Sequence, residues 1–297
     1  MNIGFIGLGN MGYPIMLQLC NRKNNLFVYD QDLLKFKQLK KTDRITCCDS
    51  ASMVAKRSDV VFTCLPRIEN VEYVLLGKNN DNGICDVLQP DSLCVDLSSS
   101  DPLQTKILAN KLKEKNIRFL DAPISGGVNG AINGSLTVMV GGDISDFDFV
   151  KPILELFGKK IVHVGGPGSG QAAKCLNNLC SATGLLIAAE CVNVAKSFGI
   201  EENLFVDVLN VSTGRNNSTE KKIKQFILSE NFDSGFAISL MKKDLASAVK
   251  LAVEQNVAVP LGAKSKDFWN DAANFLPSES DHTEIAKWLR SLDNLSQ

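Results

Sequence analysis

Lys174 is the only cation between Gln171 and Ala195. It stands among Ala172, Ala173, Cys175 and Leu176, in the first turns of a long apolar helical pattern. Asn177 and Asn178 follow three and four residues later, so all three polar tips share one side of a helix. A lysine shielded from water exchanges its proton nearer neutrality and can serve as an acid or base. The competing reading is a lysine that snorkels to solvent. Upstream, "DAPISGG" (Asp121–Gly127) follows an apolar run. Ser125, Gly126 and Gly127 offer a hydroxyl and unshielded amides, a set that suits a carboxylate, although a plain turn has the same composition. Downstream, Leu240, Met241, Leu245, Ala248, Val249, Leu251 and Ala252 fall on one helical face. Asp244 falls inside that arc and is expected to be hydrogen-bonded, because a buried carboxylate needs partners. Lys243 sits at the edge of the arc.

A second constellation opens the chain. "GLGNMG" (Gly7, Leu8, Gly9, Asn10, Met11, Gly12) follows the apolar run Ile3–Ile6 and precedes a helical pattern. That is the context in which G-x-G-x-x-G binds a dinucleotide pyrophosphate. Asp30 closes the next apolar run, eighteen residues past Gly12. It can bond the adenosine ribose, and Asp32 adds a second negative charge. No arginine follows at once to take a 2′-phosphate, so NAD is favoured over NADP. At later strand ends, Leu65, Pro66 and Asn70 in "CLPRIEN", and Ser98 and Ser99 in "DLSSSDP", are further cofactor-contact candidates. Asp101 or Ser100 is the candidate cap for the helix that follows.

These residues need a scaffold. Residues 1–165 alternate apolar runs with amphipathic segments. Strands are expected at Ile3–Ile6, Leu26–Tyr29, Val60–Cys64, Leu93–Leu97, Arg118–Leu120, Leu136–Val140 and Ile161–Val164. Helices are expected at Met11–Cys20, Gln31–Leu39, Ala51–Arg57, Val71–Leu76, Pro102–Lys115 and Ser145–Phe157. This alternation predicts an α/β, doubly wound, mostly parallel sheet. Residues 166–297 are expected to be all-helical. Gly165–Gly170 forms a loop, Ser169 caps, and a helix over 170–198 links the two parts until Gly199 stops it. Further helices are expected at Asn203–Val211, Ser218–Leu228, Leu240–Gln255, Leu261–Ala273 and Glu284–Ser291. The apolar stretch Leu179–Val194 serves either core or an interface between copies.

Composition narrows the function classes. With 297 residues, 44% hydrophobic and 22% charged, the chain has the make-up of a globular protein of two domains. A net charge of −1 and no basic block give nucleic-acid binding no support. Lys174, Asn177, Asn178 and Glu190 argue against a membrane span in the long helix. No cleavable leader is evident, and the nine cysteines show no Cys-x-x-Cys, so reduced thiols and a cytoplasmic location are expected. Two isolated histidines, His163 and His282, support neither a zinc site nor a Ser-His-Asp triad, and no metal is expected.

Four blocks together, "FIGLGNMG" (Phe5–Gly12), "DAPISGG" (Asp121–Gly127), "GSGQAAKCLNN" (Gly168–Asn178) and "KDL" (Lys243–Leu245), resemble the β-hydroxyacid dehydrogenases, the 3-hydroxyisobutyrate dehydrogenase family. The resemblance spans almost the whole chain. It implies a Rossmann domain, a long linking helix and an all-α C-terminal domain. It implies that Lys174 is the catalytic acid/base and that Asn178 holds substrate beside it. It implies that Ser125, Gly126 and Gly127 take the substrate carboxylate. Leu65, Pro66, Asn70, Ser99 and Lys243 match cofactor contacts, Ser99 standing where relatives often carry threonine. Related imine reductases and a chromatin-associated relative lack the lysine that is present here as Lys174. The expected activity is hydride transfer between NAD and a small β-hydroxy acid. The alternatives are an NAD(P)H-dependent reductase of glyoxylate, tartronate semialdehyde or a similar short aldehyde acid, and a dinucleotide-binding sensor without turnover. Homodimers or homotetramers are implied, and Arg215 and Asn216 lie in a turn that relatives place near substrate.

Overall fold

The computed structural model describes residues 1–20, 24–39, 43–78, 81–89 and 91–293. Its backbone divides into two compact units, Met1–Lys174 and Cys175–Gln297.

The first unit is an α/β sheet sandwich. Its strands are β1 (Asn2–Ile6), β2 (Asn25–Tyr29), β3 (Ile45–Cys47), β4 (Val60–Thr63), the short hairpin β5 (Gly77–Lys78) and β6 (Asp81–Asn82), β7 (Leu93–Asp96), β8 (Arg118–Asp121), β9 (Ile124–Ser125), β10 (Leu136–Gly142) and β11 (Gly158–Gly165). Its helices are α1 (Gly12–Leu19), α2 (Ala51–Ala55), α3 (Ile68–Leu76), α4 (Pro102–Glu114), α5 (Gly127–Ile132) and α6 (Ile144–Leu154). Among the described residues the main sheet runs β11-β10-β8-β7-β4-β1-β2-β3, with β9 beside β10. β1, β4 and β7 are apolar almost without a break and buried on both faces, as a parallel sheet covered by helices requires. One face packs Ile3, Phe5, Val60 and Phe62 against Ile15, Met16 and Phe147. The other packs Ile6 and Val61 against Val54, Val71, Leu75 and Leu108. The chain reverses around β1, so β2 leaves on one side and β4 on the other. Dinucleotides bind at such a switch point.

Several expectations change. β10 runs antiparallel to β8 and β9, because the Pro123–Gly127 turn folds the chain straight back onto the sheet instead of crossing over it. The segment expected as helix over Gln31–Leu39 is a 3₁₀ turn, Leu33–Gln38, whose start is capped by Asp32 accepting from the Leu34 amide at 3.0 Å. Asp32 is therefore a cap before it is a second charge for the ribose. β3, β9 and α5 lack a strong apolar period and went unpredicted. Asp101, not Ser100, caps α4, accepting from the amides of Leu103 and Gln104.

The second unit is helical: most of α7 (Ser169–Phe198), then α8 (Glu202–Asn210), α9 (Asn217–Lys221), α10 (Ile238–Glu254), α11 (Pro260–Phe275) and α12 (Ile285–Asp293). The helix expected at Ser218–Leu228 is instead α9 followed by a π-helix, Ile223–Leu228. Helix α7 is about 45 Å long at 1.5 Å per residue. It is long and apolar enough to cross a membrane by length and composition alone. However, Ala182, Leu185, Ala189 and Val192 are packed with Trp269, Ile238 and Trp288 in the core of this unit. The Leu179–Val194 stretch is thus core along one face, while Ile187 and Val194 are exposed along the other. All nine cysteines are free thiols.

Candidate active site

The glycine loop shows why its first and last glycines are needed. Gly7 takes φ 99°, and a Cβ there would lie 2.3 Å from the Cys64 carbonyl oxygen. A Cβ at Gly12 would lie 2.0 Å from the Gly7 oxygen. At Gly9 a Cβ would meet nothing within 4 Å. Sterics within the chain fix the outer two glycines, and the middle one faces open space. No side chain caps the α1 N-terminus behind it. A hollow of about 450 Å³ beside the loop is lined by Leu8, Gly9, Asn10, Tyr13 and Lys35, among others. Asp30 at the end of β2 accepts the Leu8 amide on Oδ2 at 2.6 Å and the Asp32 amide on Oδ1 at 2.8 Å. It therefore tethers the loop to β2 while presenting a carboxylate beside it. Asn70 lies in the first turn of α3, and its buried Oδ1 finds no hydrogen-bond partner among the described residues. An open glycine, an uncapped helix start and an orphaned amide oxygen together fit a dinucleotide.

The loops after β4 and β7 are tied together. Fully buried Asp96 accepts the Thr63 hydroxyl at 2.8 Å and the Ser98 amide at 3.1 Å. Ser98 Oγ then accepts the Leu65 amide at 2.9 Å. The Ser98 hydroxyl, a candidate ribose contact with Ser99, thus also fixes Leu65 beside the loop.

The start of α7 is held from the sheet. Asp121, fully buried at the end of β8, accepts the Gly168 amide on Oδ1 at 2.7 Å and the Gln171 amide on Oδ2 at 2.9 Å. The cap expected from Ser169 comes instead from a residue 47 positions earlier; Ser169 is itself the first helical residue. Burial pushes Asp121 up to about 6, against the pull of the two amides and with the nearby Asp96 carboxylate adding to the rise. Gln171, also fully buried, accepts the Ser100 amide at 2.8 Å and donates Nε2 to the Ser98 carbonyl at 2.7 Å. Lys174 follows one turn later and is 7% exposed.

Ser125 sits in β9, paired opposite Thr137. Gly126 and Gly127 take φ 135° and 64°. Both values lie in the region that favours glycine, and a Cβ at Gly127 would meet nothing within 4 Å. At Gly127 the turn therefore presents backbone with no side chain over it, whereas a Cβ at Gly126 would lie 3.0 Å from the Leu136 side chain.

In the second unit, buried Asn178 donates Nδ2 to Asp244 Oδ2 at 2.6 Å and accepts from Asn177 Nδ2 at 3.2 Å. This is the partner that Asp244 was expected to need. Lys243 is half-buried and adjacent to it on α10. Arg215 is exposed and lies 3.7 Å from Glu220, whereas Asn216 caps α9 with a capping box. A Ser–Asp–His cluster exists here: Ser234 Oγ lies 2.8 Å from both Asp281 oxygens and 3.0 Å from His282 Nδ1. It is a clasp, not a nucleophilic triad. Asp281 also accepts the Gly235 and Thr283 amides, and His282 is buried.

A family described as the NAD binding domain of 6-phosphogluconate dehydrogenase matches residues 2–165. A second, the NAD-binding domain of NADP-dependent 3-hydroxyisobutyrate dehydrogenase, matches residues 168–289. The 2-(hydroxymethyl)glutarate dehydrogenase of Eubacterium barkeri is 33% identical over 297 residues, covering 100% of this chain and 97% of its own. The chain belongs to the β-hydroxyacid dehydrogenase family. The mitochondrial 3-hydroxyisobutyrate dehydrogenase of Drosophila melanogaster is 35% identical over 268 residues, 88% of this chain and 81% of its own. A solved 3-hydroxyisobutyrate dehydrogenase of Mycobacterium tuberculosis, with L-serine, superposes with a TM-score of 0.86 at 28% identity over 97% of this chain and 99% of that one. This β-hydroxyacid dehydrogenase is an NAD-dependent oxidoreductase acting on CH–OH groups. The bonds by which Asp96, Gln171 and Asp121 fix the turns around the candidate residues carry no signal in the sequence.

Proposed function

We propose that this dehydrogenase oxidises a small β-hydroxy acid and that Lys174 accepts the hydroxyl proton. The observation that carries the reading is the buried Lys174 in the anchored first turns of α7, four residues before an Asn178 whose amide is fixed by Asp244. Bound NAD+ supplies the hydride acceptor. Gly7, Leu8, Gly9, Asn10, Met11 and Gly12 hold the pyrophosphate, Asp30 the ribose, and Leu65, Pro66, Asn70, Ser99 and Lys243 the rest of the cofactor. The positive-φ amides of Gly126 and Gly127, with the Ser125 hydroxyl, take the substrate carboxylate. Asn178 orients the hydroxyl, and Lys174 removes its proton as the C–H bond breaks. In the reverse direction the Lys174 ammonium polarises the aldehyde and returns the proton.

The ligands named for the relatives share one fragment. 2-(Hydroxymethyl)glutarate, 3-hydroxyisobutyrate and L-serine each carry a hydroxymethyl group on the carbon that bears a carboxylate. A panel of these three acids with 3-hydroxypropionate, followed by NADH absorbance, tests the reading. Turnover of at least one acid is expected. Tight NADH binding with no acid oxidised sinks it and leaves a sensor.

Asp30 sets the cofactor preference. Its carboxylate beside the Leu8 amide repels a 2′-phosphate. We expect kcat/KM with NAD+ to exceed that with NADP+ by ~10²-fold, the scale of a lost charged contact. Equal values overturn the assignment.

We also propose a homodimer or homotetramer that buries the exposed edge of α7, where Val194 is 69% and Phe198 84% exposed. Val194→Glu is expected to release monomer in sedimentation velocity. A wild type that already sediments as a monomer refutes the interface.

A further inference from the structure

Gln171 is the third residue of α7 and is fully buried. A buried primary amide needs partners for both of its ends, and this one finds them on the turn after β7. Its Oε1 accepts the Ser100 amide at 2.8 Å, and its Nε2 donates to the Ser98 carbonyl at 2.7 Å. The Ser98 carbonyl belongs to the peptide group that enters Ser99, and the Ser100 amide to the one that leaves it. One side chain therefore holds both peptide planes around Ser99, as a neighbouring strand would. Glutamine suits the task because it accepts and donates in one plane. A carboxylate of the same shape would set an oxygen against the Ser98 carbonyl.

The main chain of the same residue is held from another strand. The Gln171 amide donates to Asp121 Oδ2 at 2.9 Å. Two ties thus meet at Gln171, one to the end of β8 and one to the turn after β7. Those strands are paired in parallel, with Asp96 opposite Asp121, so both ties share one rigid base. On its far side the turn is fixed to its own elements: Asp96 accepts the Ser98 amide at 3.1 Å, and Asp101 caps α4. Lys174 follows Gln171 by three residues, about 4.5 Å along the helix axis. A side-chain tip stands about 6 Å from that axis, so a helix start that turns by about 10° carries it about 1 Å.

We propose that Gln171 is a positioning residue that sets the cofactor-contact turn at Ser99 and the acid/base Lys174 in one fixed register. The inference rests on the reading of Ser99 as a cofactor contact and of Lys174 as the proton acceptor. Gln171 touches neither cofactor nor substrate. It acts at two ends: through the peptide groups of Ser99 on cofactor binding, and through the first turn of α7 on the lysine.

The test is a double-mutant cycle, with kcat read well below the thermal midpoint of each variant and NADH affinity read by fluorescence titration. Gln171→Met keeps the length of the side chain and loses both bonds. It is expected to lower kcat by ~10–100-fold, the scale of a catalytic group displaced by about 1 Å. KM for the hydroxy acid is expected to stay within about threefold. NADH is expected to bind ~2–10-fold more weakly, the scale of one neutral hydrogen bond. With Lys174 already replaced by alanine, Gln171→Met is expected to lower kcat by less than about twofold, because no lysine is left to place. With Ser99 already replaced by alanine, it is expected to weaken NADH by less than about twofold for the same reason. Gln171→Asn keeps the amide but stops one carbon short of the turn. This gentler change is expected to move kcat and NADH affinity in the same directions, and it takes the place of Gln171→Met in the cycle where the methionine variant does not fold. A loss of kcat by the same factor with and without Lys174 overturns the proposal, as do variants that keep both kcat and NADH affinity. In either case a slow Lys174→Ala leaves the acid/base reading standing. A Lys174→Ala that turns over like wild type removes both.

Discussion

Replacing Lys174 with alanine is expected to lower kcat by ~10²–10⁴-fold, the contribution of one positioned acid–base group. The expectation comes from where the side chain sits. Lys174 is 7% exposed, one turn after Gln171, whose side chain is bonded at both ends to the Ser98–Ser100 turn. The helix register there is set by Gln171 and Asp121, and the substitution leaves both intact. Alanine is also the better helix former, so the thermal midpoint is expected to move little. NADH affinity, read by fluorescence titration, is expected to hold, because the glycine loop, Asp30 and Asn70 are untouched. Loss of kcat with NADH binding retained separates a chemical role from a structural one. A rise in KM alone, with kcat within about threefold of wild type, would make Lys174 a binding residue and falsify the proton-transfer role. Lys174→Arg is not expected to rescue, since a guanidinium does not give up its proton near neutrality.

What the sequence made legible follows the range of the interactions. The glycine loop was readable because its constraint is local: Gly12 must clear the Gly7 oxygen five residues back. The Lys174–Asn178 pair was readable because helical spacing alone puts the two on one side. Asp244 was readable as a carboxylate inside an apolar arc, although its partner, Asn178, lies 66 residues away and no spacing rule points to it. The anchoring of α7 was not readable. Asp121 looked like part of an anion turn and Gln171 like one more polar helix residue. Their bonds span 47 to 73 residues and exist only after β7 and β8 have paired in register. The tie made by Ser98 was hidden for the same reason: nothing in the sequence shows that its hydroxyl accepts the neighbouring loop's Leu65 amide. The reversal of β10 and the π-helix after Lys222 share a different cause. Neither changes the apolar period enough to be told from a parallel strand or an ordinary helix.

The second large effect is expected at Asp121. Its carboxylate is fully buried, and its partners are the Gly168 and Gln171 amides at the mouth of α7. Ionised, it accepts from both. Asparagine keeps the shape but turns an N–H₂ towards one amide, leaving two donors facing each other in a dry site at about 1–3 kcal/mol. Against that, burial holds the Asp121 carboxyl at about 6 instead of 3.8. Ionising it in the folded state therefore opposes folding by about 3 kcal/mol at 1.36 kcal/mol per unit. The two effects nearly cancel at neutral pH, so Asp121→Asn is expected to fold with a stability close to that of wild type. The sign with pH follows from the raised value. Between about 4 and 6 the native state binds more protons than the unfolded chain, so this group's contribution is greatest in acid and is lost as pH rises through 6. Asp121→Asn is expected to lack that slope. Activity runs the opposite way, because only the ionised carboxylate accepts both amides and seats Lys174. Wild-type kcat is expected to fall as pH drops through about 6. Asp121→Asn is expected to lose ~10²-fold in kcat at neutral pH, the penalty for a catalytic group displaced by about 1 Å, and to lose the acid step near 6 as well. A variant that keeps both wild-type kcat and that acid step would show that the anchor of α7 has no bearing on the chemistry.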